Sequence, residues 1–121
     1  MKFMVVDDSE VIRMKINNVL ATEDFEVVGT AKNGVEAVEQ FQEMMPQAMT
    51  LDITMPLMDG IETIQKLMGI NPDVRILVVS ALADKATLIK AMTLGATGFL
   101  CKPFSDNDLA EAIQELIEDI I

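Results

Sequence analysis

Five short apolar runs, each leading through a polar turn into a segment of helical periodicity, leave this chain few ways to fold. Phe3 to Val6 is continuously apolar and ends on Asp7, Asp8 and Ser9, as a strand buried on both faces would end at a functional edge. Ile12, Ile16, Val19 and Leu20 then share one helical face, with Arg13, Lys15, Asn17 and Asn18 mostly on the others, so an amphipathic helix capped by Asp8 or Ser9 is expected. Val27 and Val28 make a second strand. After Asn33 and Gly34, residues Val35, Val38, Phe41 and Met45 recur at helical spacing until Pro46 stops the pattern.

The alternation continues with a strand from Ala48 to Leu51, a loop holding Asp52 to Gly60, and a helix carrying Ile61, Ile64, Leu67 and Met68. Asn71, Pro72 and Asp73 form a turn before the β-branched run Arg75 to Val79 and Ser80. The fourth helix is expected from about Asp84, with Leu88, Ile89 and Met92 inward and Gly95 as its stop signal. Gly98 to Cys101 is the fifth strand. Lys102 and Pro103 turn the chain into a last helix, where Leu109, Ala112, Ile113, Leu116, Ile117 and Ile120 make the widest apolar stripe. Right-handed crossovers cover a parallel sheet with helices on both faces, so this order predicts an α/β, flavodoxin-like, doubly wound (βα)5 sheet of five parallel strands. The 121 residues have room for a single domain, residues 1–121, and no repeat or linker divides them.

Composition narrows the chemistry. The net charge of −11 would repel a phosphate backbone over most of the surface, which argues against direct nucleic-acid binding. There is no histidine, so imidazole bases, His-ligated zinc and an internal phosphohistidine are excluded. The single Cys101 cannot form an internal disulfide and reads as an inert thiol. No apolar run reaches about 18 residues, and Met1 and Lys2 lead directly into a strand, so a cytoplasmic protein without membrane contact is expected.

In an open α/β sheet, ligands bind beyond the carboxyl ends of the strands. The residues there are Asp7 and Asp8, Asp52, Ser80 and Lys102; the second strand offers no such group, as suits an edge strand. Clustered aspartates need compensating charge, because two like charges about 4 Å apart repel by roughly 4 kcal/mol at an effective dielectric of 20. Lys102 supplies one positive charge, and oxygen ligands with room for water favour Mg2+ as a further source. The set suits phosphoryl transfer to one of the aspartates, with Lys102 and the Ser80 hydroxyl on the phosphoryl oxygens.

The runs VVDDSEVIR, LDITMPLMDGIETI, ILVVSA and GATGFLCKPF, in this order and spacing, strongly resemble the receiver domain of two-component response regulators, most closely the single-domain chemotaxis type, over essentially the whole chain. The resemblance implies that Asp52 is the phosphoacceptor for a phosphohistidine on a sensor histidine kinase. It further implies that Asp8 binds Mg2+ directly, Asp7 mainly through water, and the backbone carbonyl of Thr54 completes the protein ligands beside Asp52. Lys102 would pair with the phosphate, Ser80 would be the switch hydroxyl, and Phe99 the switch aromatic that turns inward on activation. A cis Lys102–Pro103 bond is implied as well. A downstream protein would be met through the surface of the fourth helix, fifth strand and fifth helix.

Against the pattern of that family, Phe99 lacks the phenolic hydroxyl often found at its position, and the resemblance implies that Thr54 and Leu82 occupy the variable positions that tune dephosphorylation there; an apolar Leu82 could not orient a hydrolytic water. Phe99 is expected in the core or half-buried, and most of the ten methionines as adaptable core. Asp106, Asp108, Glu111, Glu115, Glu118 and Asp119, with no base between them, read as a solvated face or as a filter of partners. The chain ends without a linker, so a stand-alone regulator is expected. The alternatives are the receiver half of a longer regulator or a small aspartyl-phosphate phosphatase, whose D-x-D pattern is here broken by Asp52, Ile53 and Thr54.

Overall fold

The computed structural model of the protein describes residues 1–53, 55, 58–81 and 85–118. Its elements alternate as β1 (Lys2–Val6), α1 (Glu10–Thr22), β2 (Glu26–Ala31), α2 (Gly34–Met44), β3 (Ala48–Asp52), α3 (Gly60–Ile70), β4 (Arg75–Ser80), α4 (Lys85–Leu94), β5 (Gly98–Cys101) and α5 (Asp106–Ile117). The strands form one sheet in the order β2-β1-β3-β4-β5, every neighbouring pair parallel. The flavodoxin-like expectation therefore holds, and β2 lies at an edge as expected. None of the helices among the described residues is long and apolar enough to cross a membrane.

Strand alternation splits the interior in two. Phe3, Val5, Ala48, Leu77 and Val79 face Ile16, Leu20, Leu109 and Ile113 of α1 and α5. Met4, Val6, Met49, Leu51, Ile76 and Val78 face Phe41, Ile64, Leu67 and Ala91 of α2, α3 and α4. The central strands are mostly apolar between their ends because helices cover both of their faces, with Thr50 a buried exception.

Local chemistry sets the helix ends. Ser9, not Asp8, caps α1, its hydroxyl accepting from the Ile12 N–H. Asn33, Asp59 and Ser105 cap α2, α3 and α5, the last in a reciprocal capping box with Asp108. Gly95 ends α4 at φ 124°, where a side chain would be strained, and Ala96 N–H then reaches back to the Ala91 carbonyl.

Several expectations of burial fail. Of the ten methionines, expected mostly as core, only Met4, Met49 and Met55 are buried and Met14, Met44, Met45 and Met92 are exposed, and on α2 Val35 is exposed beside buried Ala37 and Phe41. On α4, Ile89 is 65% exposed and Met92 39%, while Ala91 is the buried residue and Leu88 only half-buried. Apolar residues lie nearly all round this helix, so its sequence does not mark one face, and packing against α3 selects the side of small Ala91. Phe99, expected in the core or half-buried, is 53% exposed on β5, the edge strand that α4 leaves partly uncovered. The proposed helix start at Asp84 and the apolar Ile120 lie outside the described residues.

Candidate phosphoryl site

The strand ends converge on one group of charges. Asp7 continues the face of Phe3 and Val5, Asp52 that of Ala48 and Thr50, and Lys102 that of Leu100, so strand alternation turns all three side chains toward the α1 and α5 side. Lys102 Nζ lies 2.8 Å from Asp7 Oδ2 and 3.7 Å from Asp52 Oδ2. Asp7 and Asp52 are buried and Asp8 is exposed.

One carboxylate oxygen from each of Asp7, Asp8 and Asp52 lies within 4.8 Å of the other two, so the three charges repel one another, the exposed Asp8 through solvent that screens it. Lys102 offsets part of this. Asp7 Oδ1 accepts the Ser9 N–H at 2.9 Å, whereas the buried Oδ2 accepts no well-formed hydrogen bond and has the Lys102 ammonium as its ionic neighbour. Buried and exposed carboxylates at this spacing, one with an oxygen still short of hydrogen bonds, make a hard-oxygen donor set that fits a small divalent cation such as Mg2+.

The surroundings hold these groups in place. Arg13 Nη1 donates to the Asp7 carbonyl at 2.6 Å, tying the end of β1 to the first turn of α1. Behind Asp52, the Gly60 N–H donates to the Ile53 carbonyl at 2.7 Å and closes the loop. A Cβ on Gly60 would stand 2.5 Å from Ile53 Cα, so no other residue fits without moving the chain next to Asp52. The Lys102 N–H donates to the Ser80 carbonyl at 2.8 Å, and the Lys102–Pro103 peptide is cis, as the resemblance implied.

Asp7, Asp8, Asp52 and Lys102 thus come together. Ser80 is buried at the end of β4, one residue past the Asp52–Val79 register and paired with Cys101. It follows the alternation of Ile76 and Val78, and Phe99 pairs with Val78, so Ser80 and Phe99 belong by strand alternation to the side covered by α4. Thr54 and Leu82 lie outside the described residues. Cys101 is an exposed thiol beside Ser80. Sequence reasoning missed the support given by Arg13, Ser9 and Gly60; only the acid before a helix start and a glycine at a loop end hinted at it.

The comparisons with known proteins agree on the family and the fold. The profile of the response regulator receiver domain matches residues 3–114. The chain is 39% identical to the chemotaxis protein CheY of Thermotoga maritima over 95% of this chain and 96% of that protein. It is likewise 39% identical to CheY of Bacillus subtilis, over 96% of this chain and 97% of that one. Among solved structures, the response regulator domain of Thermotoga maritima CheB matches with a TM-score of 0.83 at 37% identity, over 99% of this chain and 92% of that one. The CheX–CheY–BeF3–Mg2+ complex from Borrelia burgdorferi matches with a TM-score of 0.90 at 28% identity, over 100% of this chain and 90% of that one. With a profile match over nearly the whole chain and full-length relatives at this identity, the chain belongs to the response regulator receiver domain family.

Proposed function

We propose that this protein is a phosphoacceptor switch in chemotaxis or motility signalling, a single receiver domain acting in the cytoplasm. The observation that carries this is the buried Asp52 within 4.8 Å of two further carboxylates and 3.7 Å from Lys102 Nζ. A carboxylate oxygen of Asp52 attacks phosphorus, the P–N bond to the imidazole of a sensor histidine kinase breaks, and the imidazole nitrogen leaves with the electron pair. Because this chain has no histidine, the donor belongs to another protein.

Asp7, Asp8, Asp52 and the Thr54 carbonyl would hold Mg2+, which when bound supplies charge neutralisation for the phosphoryl oxygens. Lys102, already between Asp7 and Asp52, moves its ion pair onto the phosphoryl group. Ser80 donates its hydroxyl to another phosphoryl oxygen, and Phe99 leaves its exposed position as the α4, β5 and α5 surface changes. The exposed Phe99, Ile89 and Met92 on that surface form an open apolar groove with Leu88, suited to a downstream protein. Acetyl phosphate with Mg2+ should add one phosphoryl group by intact mass, with acetate as the leaving group. Asp52→Asn should accept none; an adduct of equal yield on that variant would overturn the assignment.

A further inference from the structure

Lys102 has to be aimed as well as present, and it stands on a short connection between β5, which ends at Cys101, and α5, which begins at Asp106. On one side that connection is fastened by the Lys102 N–H bond to the Ser80 carbonyl, 2.8 Å long. On the other side Phe104 buries its ring in the α1 and α5 core, and its carbonyl accepts a hydrogen bond from Lys15 Nζ of α1. The same ammonium lies 4.7 Å from the centroid of the Phe104 ring. A lysine on the flank of a helix ordinarily extends its head into water. Here the head instead grips one residue twice, through a charge-assisted hydrogen bond and a cation–π contact.

The geometry points to Lys15 as a positioning residue for phosphoryl transfer: by holding Phe104 it fixes the turn that aims Lys102 at Asp7 and Asp52. The two ends of this arrangement share one helix. The start of α1 holds Asp7 through the Ser9 N–H and Arg13, and its second turn holds the Lys102 turn through Lys15, so α1 sets the acids and the cation in one frame. The acid cluster is not held by Lys15, because Asp7 and Asp8 stand in the connection between β1 and α1, where the Ser9 N–H and Arg13 hold Asp7, and Asp52 ends β3. Loss of Lys15 should therefore lower the rate without weakening the affinity for the divalent ion, since a Lys102 that points elsewhere leaves the acids no less negative.

This inference rests on the phosphoacceptor reading. The test uses the whole chain with acetyl phosphate, following the phosphorylated fraction by intact mass against Mg2+ concentration. Lys15→Met keeps the aliphatic stem and helix propensity, so folding should survive, and its melting curve is recorded alongside. The expected rate at saturating Mg2+ falls about tenfold, the lower end of what a hydrogen bond to a charged group supplies. The Mg2+ concentration for half-maximal rate should not rise. Lys15→Arg, which restores cation and donor, should recover most of the rate. Lys15→Gln replaces Lys15→Met if the apolar exchange lowers solubility, with the same expected loss. A wild-type rate in Lys15→Met, a loss that appears as weaker Mg2+ dependence, or no recovery in Lys15→Arg would each overturn the positioning role. A wild-type chain that accepts no phosphoryl group would instead overturn the phosphoacceptor reading, and the positioning role with it.

Discussion

Asp7 is held from three directions: its Oδ1 by the Ser9 N–H, its carbonyl by Arg13, and its Oδ2 by the ammonium of Lys102. Asp8, its neighbour, is exposed, yet it lies in the same cluster within 4.8 Å of Asp7 and Asp52. Without a divalent ion Asp8 therefore adds repulsion and gains little in return. Asp8→Asn is expected to raise the melting temperature in chelator, the gain in stability being at most about 1 kcal/mol because solvent screens the exposed charge. The same variant should lose most of the stabilisation that added Mg2+ confers on the wild type. Thermal melts with and without Mg2+ check both signs; a variant less stable in chelator would contradict the electrostatic account.

At the level of elements, α4 differs from the rest. Helices α3 and α5 each bury the stripe that their sequences mark out, and α2 buries Phe41 although Val35 and Met45 of its stripe are exposed, whereas α4 buries only Ala91 and leaves Ile89 and Met92 in solvent. Covering Ile89 and Met92 requires something other than this domain's own core. Ile89→Ala should accordingly change stability by less than about 0.5 kcal/mol, as surface substitutions do. Leu67→Ala, on the buried face of α3, should cost about 2–5 kcal/mol. Urea unfolding of the two variants separates these outcomes, and a loss at Ile89 comparable to that at Leu67 would show that α4 packs the other way.

For the molecule as a whole, a net charge of −11 on 121 residues makes self-repulsion a general opponent of the folded state. The helices add to it: α5 carries Asp106, Asp108, Glu111 and Glu115 and no base. Screening shortens from about 10 Å at 0.1 M salt to about 3 Å at 1 M. Raising NaCl in the presence of chelator should therefore raise the melting temperature steadily, and a flat or falling response would mean that local ion pairs outweigh the general repulsion.

Much of this protein was legible in its chain. Strand and helix periodicities differ, so the alternation of short apolar runs with amphipathic segments determined the layered parallel fold. Because ligands gather at the carboxyl ends of such strands, Asp7, Asp8, Asp52, Ser80 and Lys102 could be named from their places after each run. The cap at Ser9 and the stops at Gly95 and Pro46 were readable too, since they act within a few residues. What the sequence could not determine depends on contacts between distant segments. The face α4 buries is chosen by its neighbour α3, and the exposure of Phe99 by how much of β5 that helix leaves uncovered. The grip of Lys15 on Phe104 spans 89 residues, and the tight seat of Gly60 depends on the path of the chain beside Ile53. Periodicity records which residues avoid water; only the tertiary structure decides which distant neighbour meets them, because that depends on the geometry of packing among all the elements at once.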